Sequence, residues 1–283
     1  MATGLPYCGR FAPTPSGPLH FGSLVAAVAS YLDAKAHDGR WLVRIEDVDK
    51  PRAVAGASDT ILRQLEQHGL LWDGEIWYQS QRDAAYQQAL ETLRAQSLTY
   101  YCTCTRKQIK ARGAHYTGYC RSRQRPAAGS AERFRNDQPS LQFHDRIQGD
   151  VQLEPVFARE DFLLYRRDQL YTYQLAVVVD DHQQGVTDIV RGADLMTASS
   201  WQLALWQQLS ERCPRLAHVP LALDPDGRKL SKQNHAPALR ADQVPAQLLR
   251  AFEFLGLTDI AADASPAELL QQATIAWRLK YLS

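Results

Sequence analysis

The chain has 283 residues, of which 45% are hydrophobic and 22% are charged, and its formal net charge is +1. This is the composition of a globular protein long enough for about two structural units. The longest apolar run near the start, Leu24 to Ala29, is too short to cross a bilayer, and no basic-then-apolar signal segment precedes it. Five cysteines, an odd number, argue against a disulfide framework. We therefore expect a cytoplasmic protein with no membrane association.

Strand and helix patterns alternate along the chain. The sequence predicts strands at residues 7–12, 41–45 and 188–191. It predicts helices from about Ser23 to Gly39 and at residues 57–68, 83–96 and 197–212. Ser80 is placed to cap the helix at 83–96, and residues 175–179 fit either a strand or a helix. The alternation predicts an α/β fold with a Rossmann-like, doubly wound, mostly parallel sheet.

Residues 100–123, YYCTCTRKQIKARGAHYTGYCRSR, interrupt this alternation with three cysteines among basic residues. Cys102, Cys104 and Cys120 would suit zinc, which takes four tetrahedral ligands and prefers thiolates. His115 and Tyr116 are the candidates for the fourth position. Chemistry favours His115, because imidazole is a common zinc ligand and phenolate is a rare one. The alternative is three unconnected, small buried cysteines.

The same region carries a local positive charge. Between Cys102 and Arg135 there are nine lysines and arginines and a single acid, Glu132. Such a concentration of charge is expected of a surface that meets a polyanion. A solvated basic loop is the alternative.

Chemistry is expected where the first strand ends, because ligands of open parallel sheets bind beyond the carboxyl ends of strands. Arg10 lies near the end of this strand. A Pro/Gly-rich turn follows and leads to His20 and Gly22 at the start of a helix. The absence of GxGxxG and GxxxxGK[ST] motifs disfavours dinucleotide enzymes and P-loop NTPases. Lys229 and Lys232, three apart after a turn, could close over a triphosphate and stabilise its charge.

Five motifs in order between Arg10 and Gln233 resemble the class I aminoacyl-tRNA synthetases. PLHFGS at 18–23 is similar to the HIGH element and KLSKQ at 229–233 to the KMSKS element. Ser23, Leu230 and Gln233 depart from the consensus of these two elements. RFAPTPSG at 10–17, RIED at 44–47 and VRGADL at 190–195 resemble the glutamyl and glutaminyl branch.

Two further features resemble one family of that branch, the glutamyl-queuosine tRNA(Asp) synthetases. They are a Cys-x-Cys followed by Tyr-x-x-x-Cys, and a chain with only fifty residues after Gln233. The resemblance implies one structural zinc held by Cys102, Cys104, Tyr116 and Cys120, with Tyr116 in place of His115. It also implies that no anticodon-binding domain follows the KLSKQ loop.

The resemblance implies a division of the chain into four parts. The catalytic core is expected at residues 1–98 and 161–225, with a zinc-bearing, RNA-facing insertion at 99–160 between its halves. Residues 226–283 are expected to form the KLSKQ loop and a small helical subdomain.

The expected site residues are those that lie in these motifs and whose chemistry suits glutamate or ATP. Arg10 and Arg191 suit the carboxylates of L-glutamate, Glu46 suits its ammonium group, and Tyr173 adds a hydroxyl. The expected glutamate site is Arg10, Phe11, Ala12, Pro13, Thr14, Glu46, Tyr173 and Arg191. The expected ATP site is His20, Gly22 and Lys232, with Mg²⁺ accompanying the nucleotide. His20, Lys229 and Lys232 are the expected catalytic residues, which stabilise phosphate charge.

The resemblance thus implies a monomeric ligase that activates L-glutamate with ATP without needing tRNA. It would transfer the glutamyl group to the queuosine base in the anticodon of tRNA-Asp. Two alternatives stay open. One is an orthodox glutamyl-tRNA synthetase acting on the 3′ end of tRNA-Glu, and the other is a non-catalytic zinc module that binds RNA.

Overall fold

The computed structural model describes residues 6–113, 115–223 and 236–282. The strands are β1 (Cys8–Phe11), β2 (Arg40–Ile45), β3 (Trp77–Tyr78), β4 (Thr99–Cys102), β5 (Ala131–Phe134), β6 (Gln142–Asp145), β7 (Gly149–Gln152), β8 (Leu163–Tyr165), β9 (Asp188–Gly192) and β10 (Arg215–Val219). The helices are α1 (Phe21–Ala36), α2 (Ala57–Gln67), α3 (Asp83–Ala95), α4 (Arg106–Ala111), α5 (Pro155–Ala158), α6 (Tyr173–Gln183), α7 (Ser199–Leu209), α8 (Val244–Phe254) and α9 (Pro266–Tyr281). None of the helices in these ranges is both long and apolar enough to span a membrane.

Two sets of parallel strands form the centre of the molecule. In one set β1, β2 and β3 are parallel in that order; in the other β6, β10 and β9 are parallel, with β7 antiparallel at the edge. The sets meet where Thr187, just before β9, donates its backbone N–H to the carbonyl of Cys8 at 2.9 Å. Strands β2 and β3 follow β1 on one side of this junction, and β10 follows β9 on the other. The predicted doubly wound α/β fold is confirmed, and the strand order reverses between β1 and β9.

Helix α1 occupies the centre of the main core. Leu24, Val28 and Leu32 of its predicted apolar face are completely buried, while Tyr31 is half-buried with its ring edge against Trp41. The same apolar cluster includes buried side chains of α8 and α9, so the C-terminal helices pack on the core. A second cluster joins α3, α6 and α7. The first cluster includes Phe11 of β1 and Val190 of β9, and it therefore holds the strand ends at the β1–β9 junction in place.

The cysteine-rich region lies beside a small antiparallel sheet in the order β4, β5, β8. Strand β6 instead pairs with β10 of the central sheet, although it precedes β8 in sequence. The chain therefore passes from the insertion to the core and back before residue 165. The four-part division at residues 98, 160 and 225 stays a prediction.

Two details of the predicted helices were decided only by the tertiary structure. Residues 175–179, which fitted a strand or a helix, lie in α6. The prediction that Ser80 caps α3 is wrong: Arg82 is the N-cap residue and makes no side-chain cap. Ser80 lies too far ahead of the helix, and its backbone N–H and hydroxyl both donate to the carboxylate of Asp47, at 2.8 and 2.6 Å.

Candidate active site and metal centre

A cleft of about 610 Å³ opens at the carboxyl ends of β1 and β9, where the strand order reverses. Most of the residues predicted from sequence to bind glutamate or ATP line this cleft. They are Arg10, Phe11, Ala12, Pro13, Thr14, His20, Gly22, Glu46, Tyr173 and Arg191. Lys229 and Lys232 lie outside the described residues. The fold therefore brings together groups from five separate parts of the chain, as expected at such a junction.

Arg10, at the end of β1, is held by Asp181 of α6. Its Nε and Nη2 donate to the two carboxylate oxygens of Asp181 at 3.0 and 3.3 Å, and both side chains are buried. This two-point contact fixes the plane of the guanidinium group. Although burial opposes it, Arg10 and Arg44 lower the pKa of the Asp181 carboxyl below its ordinary value. Asp181 therefore stays ionised and keeps Arg10 in place.

Arg44 links this pair to Glu46. Its Nη1 donates to Asp181 at 2.7 Å and its Nη2 donates to Glu46 at 3.2 Å, with no part of its side chain exposed. Burial raises the pKa of Glu46 above its ordinary value, against the opposing effect of Arg44 and Arg10. A buried carboxylate in this state gains from a further cation. Glu46 is therefore suited to an ammonium group.

Arg191, at the end of β9, is held from the other side. Its Nε donates to Nε2 of His218 at 3.1 Å and its Nη2 to the hydroxyl of Ser199 at 2.9 Å. Its buried Nη1 has no hydrogen-bond partner among the described residues. Burial lowers the pKa of Arg191, as expected of a cation short of counter-charge. A carboxylate in the cleft would supply the missing acceptor.

His20 begins α1 as well as lining the cleft. Its Nδ1 accepts from the backbone N–H of Ser23 at 3.3 Å, and the Ser23 hydroxyl accepts from the His20 N–H at 2.8 Å. Ser23, a departure from the HIGH consensus, thus closes a capping box. Because Nδ1 accepts, Nε2 of the neutral imidazole carries the proton and is a donor. His20 therefore has both a structural role and a donor suited to phosphate.

The three cysteines converge at the end of β4. The Sγ atoms of Cys102, Cys104 and Cys120 all lie within 4.8 Å of one another, and none is in a disulfide. The buried phenol of Tyr116 packs in the same cluster and accepts from the backbone N–H of Cys120 at 2.8 Å. Burial and then Cys102 raise the pKa of Tyr116 above its ordinary value. This donor set fits a tetrahedral metal ion such as zinc.

The side chain of His115, the alternative fourth ligand, contacts other residues. Its Nδ1 lies 3.2 Å from a carboxylate oxygen of Glu160, and its ring meets Phe157 edge-on. The geometry therefore favours Tyr116.

Sequence reasoning missed Asp181, His218 and the role of Arg44. All three lie in apolar runs: Arg44 in the strand WLVRI, Asp181 at the end of LAVVVDD, and His218 in the strand RLAHV. A charged residue inside such a run must find a buried partner. None of these runs identifies the partner, and those of His218 come from β6, β9 and α7.

A Rossmann-like core with a HIGH-type helix start and a cleft at its switch point defines the catalytic domain of a class I tRNA synthetase. The sequence profile of the family "tRNA synthetases class I (E and Q), catalytic domain" matches residues 8–265. A glutamate-tRNA synthetase from Elizabethkingia anophelis has the same fold, with a TM-score of 0.78 at 24% identity. That match covers 94% of this chain, which spans 65% of the length of that chain.

Two relatives narrow the family. A Glutamyl-Q tRNA(Asp) synthetase from Idiomarina loihiensis is 57% identical over 277 residues, covering 97% of this chain and 98% of that protein. One from Escherichia coli strain K12 is 53% identical over 279 residues, covering 98% and 91%. The chain belongs to the Glutamyl-Q tRNA(Asp) synthetase family of class I tRNA synthetases, and the prediction of a ligase-type enzyme is confirmed.

Proposed function

We propose that this protein activates L-glutamate with ATP in the absence of tRNA. It then transfers the glutamyl group to the queuosine base in the anticodon of tRNA-Asp, as the names of its relatives indicate for those proteins. The observation that carries the proposal is the cleft itself. Arg10, Glu46 and Arg191 lie there beside the N-terminus of α1, and their two positive charges and one negative charge support the binding of glutamate.

Glutamate carries two carboxylates and one ammonium group. Two buried guanidinium groups and one buried carboxylate face it in the cleft, so each charge of the ligand can find an opposite charge. The side-chain amide of glutamine lacks the charge that pairs with an arginine. The site should therefore prefer glutamate.

In the first step an oxygen of the glutamate α-carboxylate attacks the α-phosphorus of ATP, and pyrophosphate leaves. The residues contribute by positioning and by stabilising charge, and none of them acts as a nucleophile. His20, with its Nε2 proton, would donate to a phosphate oxygen, while Lys229 and Lys232 would neutralise the departing phosphates. Mg²⁺ bound with ATP would share that charge.

In the second step a hydroxyl of the queuosine cyclopentene diol attacks the acyl carbon of glutamyl-adenylate. The new ester forms, AMP leaves, and the hydroxyl proton passes to solvent or to AMP. The diol imitates the cis-diol of a terminal ribose, so the same acyl chemistry can serve a base in the anticodon loop. The basic insertion would bind the phosphates of the RNA backbone. One zinc, held by Cys102, Cys104, Tyr116 and Cys120, would order the insertion.

The test separates activation from transfer. Pyrophosphate exchange should proceed with glutamate in the absence of RNA. Labelled glutamate should then appear on tRNA-Asp that carries queuosine, but not on the same tRNA with unmodified guanosine. Removing the 3′-terminal adenosine should leave the transfer intact.

Three outcomes would contradict this proposal. If exchange required tRNA, the tRNA-independent step would be wrong. If label appeared on tRNA-Glu and vanished once its 3′-terminal adenosine was removed, the chain would act as an orthodox glutamyl-tRNA synthetase. A chain that bound RNA but gave no exchange with any amino acid would be a non-catalytic module.

A further inference from the structure

Two side chains that do not line the cleft accept hydrogen bonds from one edge of the Arg191 guanidinium group. Nε donates to His218 and Nη2 donates to Ser199, which leaves Nη1 as the nitrogen without a partner among the described residues. Neither His218 nor Ser199 is exposed at all, and Arg191 is only 5% exposed. The direction in which Arg191 presents Nη1 is therefore set by these buried partners.

The contact with Arg191 defines the protonation of His218. A guanidinium nitrogen can only donate, so Nε2 of His218 must offer its lone pair. In the neutral imidazole the proton is then on Nδ1, which faces Oδ2 of Asp145 at 2.5 Å. Burial lowers the pKa of His218 despite the neighbouring carboxylate, so the neutral ring agrees with the geometry.

Asp145 is in turn anchored to the backbone. Its Oδ1 accepts from the N–H groups of Ile147, Gln148 and His218 at 3.0, 2.9 and 3.1 Å. Its other oxygen is thereby aimed at the imidazole. A chain of hydrogen bonds thus runs from β6 through β10 to β9 and ends at the cleft.

We propose that His218 and Asp145 are positioning residues for substrate recognition: the anchored carboxylate selects the imidazole tautomer that accepts from Arg191, and Arg191 then presents Nη1 to a carboxylate of the substrate. The inference rests on the proposed binding of glutamate in this cleft. Neither residue touches the substrate. Their effect on binding passes entirely through Arg191.

Asp145→Asn tests this with little change in shape. The asparagine carbonyl oxygen can keep accepting from the three backbone N–H groups, while its amide donates to Nδ1 of His218. The ring proton then moves to Nε2, where it opposes the N–H of Arg191. We expect the dissociation constant for glutamate, measured by calorimetry without ATP, to rise roughly 10- to 100-fold, the worth of one hydrogen bond to a charged group. The KM for ATP in pyrophosphate exchange should stay within about twofold.

A second variant and a matched control complete the test. His218→Gln, whose amide oxygen can accept from Arg191, should bind glutamate better than His218→Leu, which offers no acceptor. The control is Asp150→Asn, because Asp150 forms an exposed pair with His144, at 2.8 Å, on the neighbouring strands. This variant should bind glutamate like the wild type.

The results distinguish this inference from the proposed function. A wild type that does not bind glutamate overturns both. A wild type that binds glutamate, together with a folded Asp145→Asn variant of equal affinity, overturns the positioning role alone. Equal losses of glutamate and ATP binding would also overturn it, since they would indicate general damage to the fold.

Discussion

At the scale of single residues, the cleft depends on charges that are buried in pairs. Asp181 is shared by Arg10 and Arg44, and Arg44 also contacts Glu46 and Asp180. Burying such charges is costly unless each finds a partner, and losing one partner leaves the other uncompensated. The benefit is a set of guanidinium and carboxylate groups that keep their orientation before the substrate arrives. Substitutions here should therefore affect substrate binding directly.

Arg10→Ala should greatly reduce the activation of glutamate. Loss of a desolvated, charged partner costs about 2–5 kcal/mol, which corresponds to a decrease in kcat/KM of roughly 30- to 4,000-fold. Pyrophosphate exchange measures it, and Arg63→Ala, an exposed change on α2, serves as the control. Arg10→Lys should recover only part of the activity, because an ammonium group cannot make the two-point contact. Equal exchange rates of the wild type with glutamine and glutamate would show that the site does not recognise the side-chain carboxylate.

At the scale of elements, the cysteine-rich region has little apolar content of its own. Among the described residues, its buried cluster consists of Cys102, Tyr116 and Cys120, with Tyr100, Cys104 and Ile109 packed around it. So small a cluster supplies little hydrophobic stabilisation, and a metal ion is the usual substitute in such regions. The order of the region between β4 and β5 should therefore depend on metal binding.

We expect about one zinc per chain in protein purified without chelator, since three thiolates and a phenolate complete one tetrahedral site. Elemental analysis measures it. Cys102→Ala/Cys120→Ala should lose the metal, and hydrogen exchange should then accelerate at residues 100–123 but not in β1 or β9. The exposed Cys213 supplies the control, because Cys213→Ala should retain zinc. Undiminished zinc in the double variant would disprove the site.

The identity of the fourth ligand can be tested separately. Tyr116→Phe removes the phenol oxygen and should weaken zinc binding in a chelator competition assay. His115→Ala should leave the affinity unchanged, because His115 pairs with Glu160. The reverse result would assign the fourth position to the histidine.

Helix α4, within the cysteine-rich region, carries three exposed positive charges. Arg106, Lys107 and Lys110 are all exposed. Replacing all three with Gln should raise the KM for tRNA in the transfer assay and reduce its dependence on salt, because phosphate contacts release counterions. Pyrophosphate exchange without RNA should not change. Unaltered transfer at every salt concentration would mean that α4 does not contact RNA.

At the scale of the whole molecule, one buried carboxylate joins distant parts of the chain. Asp33 of α1 accepts from Tyr7 before β1, from Arg146 after β6 and from Trp277 of α9. Although burial opposes it, these donors, Arg146 foremost, lower the pKa of Asp33 below its ordinary value. Asp33 therefore stays charged and fastens the C-terminal helix to the catalytic core.

Trp277→Phe keeps most of the packing but removes the N–H that donates to Asp33 at 3.0 Å. We expect the free energy of unfolding, measured by urea denaturation, to fall by about 1.5–3 kcal/mol, the worth of a hydrogen bond to a charged group. Trp277→Ala should cost about 3–5 kcal/mol because it also leaves a cavity. Ile275→Ala, on the exposed side of the same helix, should stay within about 0.5 kcal/mol. If all three variants unfolded alike, α9 would not be part of the cooperative core.

The sequence by itself determined the class of fold and the family. The alternation of strand and helix patterns predicted the parallel sheet. Motifs such as RFAPTPSG and VRGADL lie at the ends of β1 and β9. These signals are local, because a strand or a helix start is encoded in residues a few positions apart. The spacing of the cysteines likewise narrowed the fourth ligand of the predicted zinc site to His115 or Tyr116, since all the candidates lie in one short segment.

The tertiary structure alone decided which buried charges pair with each other. Arg10 and Asp181 are 171 positions apart, and His218 and Asp145 are 73 apart. Periodicity indicates that a residue is buried but does not identify the element packed against it. Ser80 shows the same limit, because it contacts Asp47 across the fold instead of capping the helix that follows it. Pairing across elements depends on how helices and strands pack, and that is a property of the whole chain.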